Sequence, residues 1–184
     1  MNSPGLINQI NTDLLQTQLS DFRIFSDEDI KCIRVSIETL GMLHPILVGK
    51  LKDDYEIVDG FKRYYASLDL GVKKITFRVI DITLSEGKAL IISSNKHISS
   101  TLDYEEAAIV HSLSKEDGLT GQEISVLLGQ STTWVSRRLS LITKLDSTVK
   151  EQIKMGLLSH THAREIVKLP RGNQVQLSES IIKN

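Results

Sequence analysis

Several features that identify a class of protein are scarce in this chain of 184 residues. It holds one cysteine, Cys32, which excludes an internal disulfide framework and a cysteine-based zinc finger. The formal net charge is -1, so any contact with a polyanion must depend on a local patch. No stretch approaches the roughly 18 consecutive apolar residues of a membrane span, and residues 1–16 lack the pattern of a signal peptide. We therefore predict a cytoplasmic protein without a membrane partner.

The first 100 residues alternate between helical and strand patterns. A hydrophobic content of 40% is enough for one large domain or two small ones, and the pattern of residues 1–100 indicates the first of two. It should be an α+β domain over residues 1–100, with a small mixed sheet and packed helices, since the order of elements does not follow a strict βαβ repeat. The predicted helices cover 27–41, 61–71 and 84–96, and the predicted strands cover 45–51, 55–58 and 75–82.

The strand pattern stops near residue 103, after the polar stretch 97–103. Helical patterns that open on Asp, Ser or Thr and close on Gly or Pro follow one another to the end of the chain. We predict an all-α domain over residues 101–184, with helices in the segments 103–118, 119–130, 131–145, 146–156 and 159–170.

Two of these helices have the pattern of a helix-turn-helix. Thr120 and Glu123 form a capping box, Gly129 ends the first helix, and Ser131 offers a cap to the second. Residues near the start of such a second helix reach base edges, while hydroxyls and arginines hold phosphates. The residues predicted to contact DNA are Gln130, Ser131, Thr132, Thr133, Trp134, Ser136, Arg137 and Arg138, with His162 and Arg164 of a later helix.

A plain helical bundle is the alternative, with Arg137 and Arg138 on a solvated face and Trp134 in the core. Local charge favours DNA binding, because residues 119–171 hold about twice as many cations as anions in a chain that is slightly acidic overall. The histidines are scattered or poorly spaced for a shared metal, so we predict no metal site.

A second pair of cations follows a glycine in the first domain. In the segment 59–71, DGFKRYYASLDLG, Lys62 and Arg63 come directly after Gly60, between a predicted strand and a predicted helix. A helix N-terminus offers free N–H groups and the positive end of a dipole, and glycine lets the backbone approach a ligand. The segment is either an ordinary exposed turn or an anion site, and its position favours a site for a nucleotide phosphate.

The order of these motifs resembles the ParB/Spo0J/KorB-like family of chromosome and plasmid partition proteins. The resemblance covers most of residues 25–169 and is carried by the segments 36–48, 55–67, 94–107, 119–145 and 155–169. It implies a ParB/sulfiredoxin-like nucleotide-binding domain followed by a helix-turn-helix domain that reads a centromere-like DNA site. Family members typically bind CTP with magnesium and act as DNA clamps that hydrolyse the nucleotide slowly.

The resemblance also implies which residues hold the nucleotide, and where this chain departs from the family. The implied residues are Arg23, Gly60, Phe61, Lys62, Arg63, Ser94 and Asn95. Phe61 replaces an acid of the phosphate motif, and Ser94 and Ile98 replace the acid and the arginine of a second motif. Because the lost acid is expected to help hold Mg²⁺, CTP binding is predicted while metal-assisted hydrolysis is left open.

The resemblance bears on partners too. Double-stranded DNA at a nucleoid or a plasmid is the expected partner, and a homodimer is the expected assembly. The chain has no Lys or Arg before Arg23, so we do not expect the basic arm that stimulates a partition ATPase. The sequence also ends without room for the C-terminal dimerisation domain of the family, so it is either part of a longer chain or a short variant.

Two other functions stay open from the sequence alone. The first is an enzyme, either a CTPase or a ParB-like nuclease, although the acids near the motif (Asp53, Asp54, Glu56 and Asp59) indicate a hairpin turn rather than a metal cluster. The second is a transcriptional regulator that has lost nucleotide binding.

Overall fold

The computed structural model describes residues 8–51, 54–94 and 102–183. The chain forms two compact units, Met1–Ile91 and Ile92–Asn184. Each unit has its own core, and each is described separately below.

The first unit is built on a mixed five-stranded sheet. Its strands are β1 (Asn8–Asn11), β2 (Leu15–Gln16), β3 (Ile46–Leu51), β4 (Asp54–Asp59) and β5 (Lys74–Asp81), in the spatial order β1-β5-β3-β4-β2. The hairpin partners β3 and β4 are antiparallel, and β3 pairs with β5 in parallel. β1 adds to β5 antiparallel and β2 adds to β4 in parallel. The predicted small mixed sheet is confirmed.

Helices and two short 3₁₀ turns accompany this sheet. They are α1 (Asp27–Leu40), α2 (Phe61–Asp69) and α3 (Leu84–Ser94), with 3₁₀ turns at Thr12–Leu14 and Gln18–Phe22. The apolar side chains of β3 and β4 are almost completely buried, as Ile46, Val48 and Ile57 show. Such runs are expected of strands in the middle of a sheet.

Two strands of the sheet were not predicted. β1 has the sequence NQIN and β2 has the sequence LQ, and in both a single residue is buried, Ile10 and Leu15 respectively. Segments this short and polar show no strand periodicity in the sequence. They form strands because they pair with β5 and β4, not because of their own propensity.

The second unit is entirely helical in its described residues. It contains α4 (Leu102–Lys115), α5 (Gly121–Leu128), α6 (Thr132–Lys144), α7 (Ser147–Lys154), α8 (His160–Ile166) and α9 (Arg171–Ile182). Its core is formed by Ile109, Val110, Leu113, Ile124, Val135, Leu141, Val149, Ile153 and Ile166. The all-α prediction is confirmed. Among the described residues, no helix is both long enough and apolar enough to cross a bilayer.

Candidate nucleic-acid interface and nucleotide site

The first helix of the helix-turn-helix begins at a complete capping box. The Thr120 hydroxyl accepts a hydrogen bond from the Glu123 N–H at 3.3 Å, and the Glu123 carboxylate accepts one from the Thr120 N–H at 2.8 Å. Hydrogen bonds from Thr120 lower the pKa of Glu123, and the bond from the Thr120 backbone N–H has the largest effect. The predicted capping box is therefore present, and it fixes the start of α5.

A short turn joins α5 to α6. Gly129 adopts the left-handed conformation with φ of 59°, which favours glycine. The Gln130 N–H donates to the Ser125 carbonyl at 3.0 Å, and the Ser125 hydroxyl donates back to the Gln130 carbonyl at 2.6 Å. The Ser131 hydroxyl then accepts from the Trp134 N–H at 3.1 Å. Hydrogen bonds on both sides of the turn thus fix how α6 leaves α5.

The first turns of α6 place polar side chains in solvent. Thr132, Thr133, Ser136 and Arg137 are exposed, whereas Val135 on the same helix is buried in the core. Hydroxyls and a guanidinium on the outer face of the second helix are the groups that contact base edges and phosphates in a helix-turn-helix.

Arg138 occupies a different environment from its neighbour Arg137. Its Nε donates to the Glu106 carboxylate at 2.6 Å and its Nη2 donates to Asp103 at 2.9 Å. The guanidinium also lies over the Trp134 ring, 4.7 Å from its centroid. Consecutive helical residues are about 100° apart around the axis, so the two side chains leave the helix in different directions. The guanidinium of Arg138 is therefore engaged inside the helical unit.

Helix α8 supplies the other two residues predicted for DNA contact. Ser159 caps the helix, and the His162 side chain completes the capping box by accepting from the Ser159 N–H at 3.3 Å. His162 is half-buried, whereas the side chain of Arg164 is 52% exposed. The Arg164 Nε donates to the second carboxylate oxygen of Asp103.

A basic groove of about 650 Å³ runs between α6 and α8. It is lined by Trp134, Arg137, Arg138, Ser140, Leu141, Lys144, Arg164, Glu165, Val167 and Lys168. Lys168 is neutralised by Glu165 at 2.6 Å. Within the part of the chain that the structure describes, Arg137 and Lys144 have no acidic partner. These two cations give the groove its positive charge, whereas Lys150, Lys154 and Arg171 of the same basic segment do not line it.

The candidate nucleotide site in the first unit lies where β4 ends and α2 begins. Gly60 has φ of 95°, a conformation that side chains rarely adopt. A Cβ atom there would lie 2.8 Å from Ile46 Cγ2 and 2.9 Å from the Arg63 guanidinium. Gly60 caps α2 without a side chain, so no side-chain acceptor from this position covers the first N–H groups of the helix. An uncapped helix start behind glycine suits an anion.

The two cations of this segment have different partners. The Arg63 guanidinium donates to the carbonyls of His44 and Pro45 at 2.9 and 2.8 Å and to Asp59 at 3.1 Å. Lys62 pairs with Asp29 of α1 at 3.2 Å. The pKa of Asp29 is lowered, first by the Ser26 N–H and then by Lys62. Arg63 is fixed by the backbone of residues 44–45, while Lys62 is partly exposed and can exchange its partner.

The remaining residues predicted for the nucleotide are less well placed. The Phe61 side chain is buried in the core at 5% exposure, so only its backbone can face a ligand. Arg23 follows the 3₁₀ turn Gln18–Phe22, where its N–H donates to Ser20 at 2.9 Å. Ser94 is the exposed last residue of α3, and Asn95 lies outside the described residues. No cluster of three or more His, Cys, Asp or Glu occurs among the residues that are described.

Sequence reasoning missed the burial of four acids among the described residues, Glu56, Asp103, Glu105 and Glu106. Asp103 and Glu106 hold Arg138, and Glu56 of β4 accepts from the Leu19 N–H at 2.8 Å. Burial raises the pKa of both Glu56 and Glu106. Acids near the start of a helix are common, so Asp103 in the first turn of α4 and Glu106 just after that turn gave no signal of burial. Glu56 lies in β4 at a position whose side chain is buried, where an apolar residue would be usual.

Residues 2–96 match the ParB N-terminal domain, and residues 100–184 match the ParB HTH domain. The chain belongs to the ParB family. The two matched domains account for nearly all of its length, and each coincides with one of the two kinds of structure described above.

Individual members of the ParB family are moderately similar. The chromosome-partitioning protein ParB of Myxococcus xanthus is 34% identical over 152 residues, which is 83% of this chain and 51% of the relative. A nucleoid occlusion protein of Oceanobacillus iheyensis is 31% identical over 153 residues, covering 82% and 53% of the two chains. The chain thus spans about half the length of the curated relatives that it matches.

A solved structure of the family has the same fold. It is a C-terminally truncated ParB from Caulobacter crescentus complexed to the centromeric parS site. That structure superposes with a TM-score of 0.53 and 25% identity, over 96% of this chain and 91% of the other.

Proposed function

We propose that the helical unit binds double-stranded DNA in a sequence-specific manner. The observation that carries this proposal is the α5–turn–α6 arrangement, in which the start of α6 presents exposed hydroxyls and Arg137 beside a basic groove. The membership of the ParB family and the parS-bound Caulobacter relative support it.

The exposed residues fall into two groups by their chemistry. Thr132, Thr133 and Ser136 can exchange hydrogen bonds with base edges when the first turns of α6 enter a major groove. Arg137 and Lys144 supply charge to phosphates along the groove between α6 and α8, which gives affinity and register rather than sequence preference. Gln130 and Ser131 contribute through the turn, Arg164 borders the groove from α8, and His162 lies on the same helix outside the groove lining.

We further propose that the DNA site has two half-sites, each read by one copy of the chain. One helix-turn-helix contacts one face of a single turn of DNA, so a longer specific site needs a second copy of the domain. Partition or gene regulation at a nucleoid or a plasmid is the process that such binding would serve, as the names of the relatives suggest.

A variant of Arg137 tests the DNA proposal. Binding would be measured by fluorescence anisotropy against a parS duplex and a scrambled duplex of the same length, at several salt concentrations. Arg137→Ala should weaken binding to both duplexes and reduce the log–log salt slope by about 0.9, as expected for one lost phosphate contact.

The matched control is Lys115→Ala. Lys115 is an exposed cation in the last turn of α4 and does not line the groove. Its removal changes the net charge by the same amount and should leave the salt slope unchanged. Equal effects of the two substitutions, or a wild-type chain without preference for any duplex in a selection from random sequences, would refute the proposed interface.

We also propose that the first unit binds the phosphates of a nucleotide, CTP by resemblance to the family, at the start of α2. The left-handed Gly60 at the start of α2 and the first N–H groups of the helix, which no side chain from this position caps, carry this proposal. Arg63 is held in place by the carbonyls of residues 44–45, and Lys62 would exchange Asp29 for a phosphate. The described residues fit an anion, and they offer no acidic cluster that identifies Mg²⁺ ligands.

Isothermal titration with CTP, ATP and GTP, with and without Mg²⁺ and DNA, tests this site. Lys62→Ala should weaken CTP binding, whereas Lys31→Ala, which removes an exposed and similarly paired cation of α1, should not. If no nucleotide produces heat under any condition, the first unit serves protein contacts and the chain is a regulator without a nucleotide. Metal-dependent CTP turnover that Arg63→Ala abolishes would instead establish an enzyme.

A further inference from the structure

Asp103 accepts hydrogen bonds from both helices that line the candidate DNA interface, α6 and α8. One carboxylate oxygen accepts from Arg138 of α6 at 2.9 Å, and the other accepts from Arg164 of α8. Asp103 itself lies in the first turn of α4, near its N-terminus. A single buried side chain therefore connects three helices.

The contacts of this cluster determine how free each arginine is. The side chain of Arg138 is 10% exposed, and those of Asp103 and Glu106 are each 9% exposed. Arg138 thus makes a buried ion pair with two acids and stacks on Trp134, so its rotamer is determined by its partners. Arg164 is different, because its side chain is 52% exposed and Asp103 is the acid that holds its Nε.

The hydrogen bond to Asp103 gives Arg164 a direction. A guanidinium is planar, so a bond at Nε fixes the plane of the group and the positions of its outer nitrogens. Arg164 lines the same groove as Arg137 and Lys144. Its charge is balanced by Asp103, so Arg164 presents a guanidinium of fixed direction to the groove and does not act as a freely moving positive charge.

We propose that Asp103 is a positioning residue that determines the specificity of DNA binding. By neutralising and orienting Arg164 and by anchoring Arg138, it disfavours loose association with any phosphate backbone and favours the one register in which α6 and α8 both fit. This inference rests on the proposed DNA binding, and it adds that the ratio of specific to non-specific affinity depends on an acid that does not touch DNA.

Asp103→Asn tests the proposal. The amide has the shape of the carboxylate but no charge, so Arg164 is released into solvent. A released cation makes one further phosphate contact, which should raise the affinity for a scrambled duplex by up to about eightfold in ~0.1 M salt and steepen its salt slope by about 0.9. The affinity for the specific duplex, selected from random sequences by the wild-type chain, should fall at least threefold. A purely structural role would weaken both.

Glu106→Gln is the matched control. It removes the same charge from the same cluster, and it leaves the hydrogen bond between Asp103 and Arg164 in place. Its effect on the salt slope for the scrambled duplex should be clearly smaller than that of Asp103→Asn. If the two variants change the slope equally, the effect comes from net charge, and the proposal is wrong.

Arg164→Lys provides a test that does not disturb the buried Arg138. Lysine retains the positive charge but lacks Nε and the planar group, so it should lower the ratio of specific to non-specific affinity as Asp103→Asn does. Thermal unfolding of each variant verifies that it is folded. A wild-type ratio in folded Arg164→Lys would overturn the proposal, whereas a wild-type chain that prefers no duplex would overturn the DNA-binding function itself.

Discussion

Replacement of Arg138 by alanine should destabilise the helical unit, whereas replacement of the adjacent Arg137 should affect DNA binding alone. Arg138→Ala leaves the carboxylates of Asp103 and Glu106 in the core, and each of these side chains is only 9% exposed. Breaking a buried ion pair by removing one partner costs about 3–5 kcal/mol, because the remaining charge is left without compensation. Arg164 still pairs with Asp103, so Glu106 bears most of the loss. We therefore expect about 3 kcal/mol, the lower end of that range.

The fluorescence of Trp134 offers a direct assay. It is the only tryptophan of the chain and lies in α6 with its ring 4.7 Å from the Arg138 guanidinium carbon, so urea unfolding followed at this signal reports on the helical unit. Arg137 is exposed, and Arg137→Ala should change the free energy of unfolding by no more than about 0.5 kcal/mol.

The pH dependence gives a second measure of the same substitution. Burial raises the pKa of Glu106, and Arg138 opposes that rise, so the pKa should increase further in Arg138→Ala. When the folded pKa of an acid lies above its unfolded value, the ionised group costs stability at higher pH, and the cost disappears as the pH falls through the folded pKa. The deficit of the variant should accordingly shrink as the pH falls from neutrality toward the ordinary pKa of a glutamate.

Two results would refute this reasoning. The first is a loss below about 1 kcal/mol, the value expected of an exposed pair, since Arg138 would then not be a buried structural cation. The second is wild-type stability combined with a large loss of DNA affinity, which would mean that Arg138 contacts DNA, as the sequence predicted.

Three other substitutions have clear expectations. Gly60→Ala should lower the stability of the first unit by roughly 1–2 kcal/mol in urea unfolding, because φ is 95° and the new Cβ would meet Ile46 at 2.8 Å. Glu56→Gln should remove the contribution of this one residue to stability at low pH, since burial raises the pKa of Glu56 and its ionised form costs stability at higher pH. Arg171→Ala should lower the thermal stability of the helical unit by about 1 kcal/mol, because its guanidinium donates to the Thr143 carbonyl at the end of α6 at 2.6 Å.

The parts of the fold that the sequence predicted share a physical basis. Caps and periodic apolar positions are local, and Thr120, Gly129 and Ser131 act on residues within one turn of themselves. The hairpin of β3 and β4 was predicted for the same reason, since its strands are adjacent along the chain. β1 and β2 were not predicted, because each depends on a partner about 40 or more residues away.

The candidate sites show the same division. The sequence placed Gly60, Lys62 and Arg63 together because they are neighbours, and it could not reveal that Asp29 would pair with Lys62. It likewise treated Arg137 and Arg138 as equivalent. Only the contact with α4, more than 30 residues earlier in the chain, distinguishes them.

The sequence by itself predicted two domains, a helix-turn-helix and the cations that follow Gly60, because each of these depends on residue order and short-range spacing. The tertiary structure decided which of those charges are free to meet a ligand. Asp103, Glu106 and Asp29 come from distant segments, and an ion pair between distant segments leaves no trace in local periodicity. Arg137 and Lys144 therefore remain available to an anionic ligand, such as the DNA of the proposed function, while Arg138 is held in the core by the acids of α4.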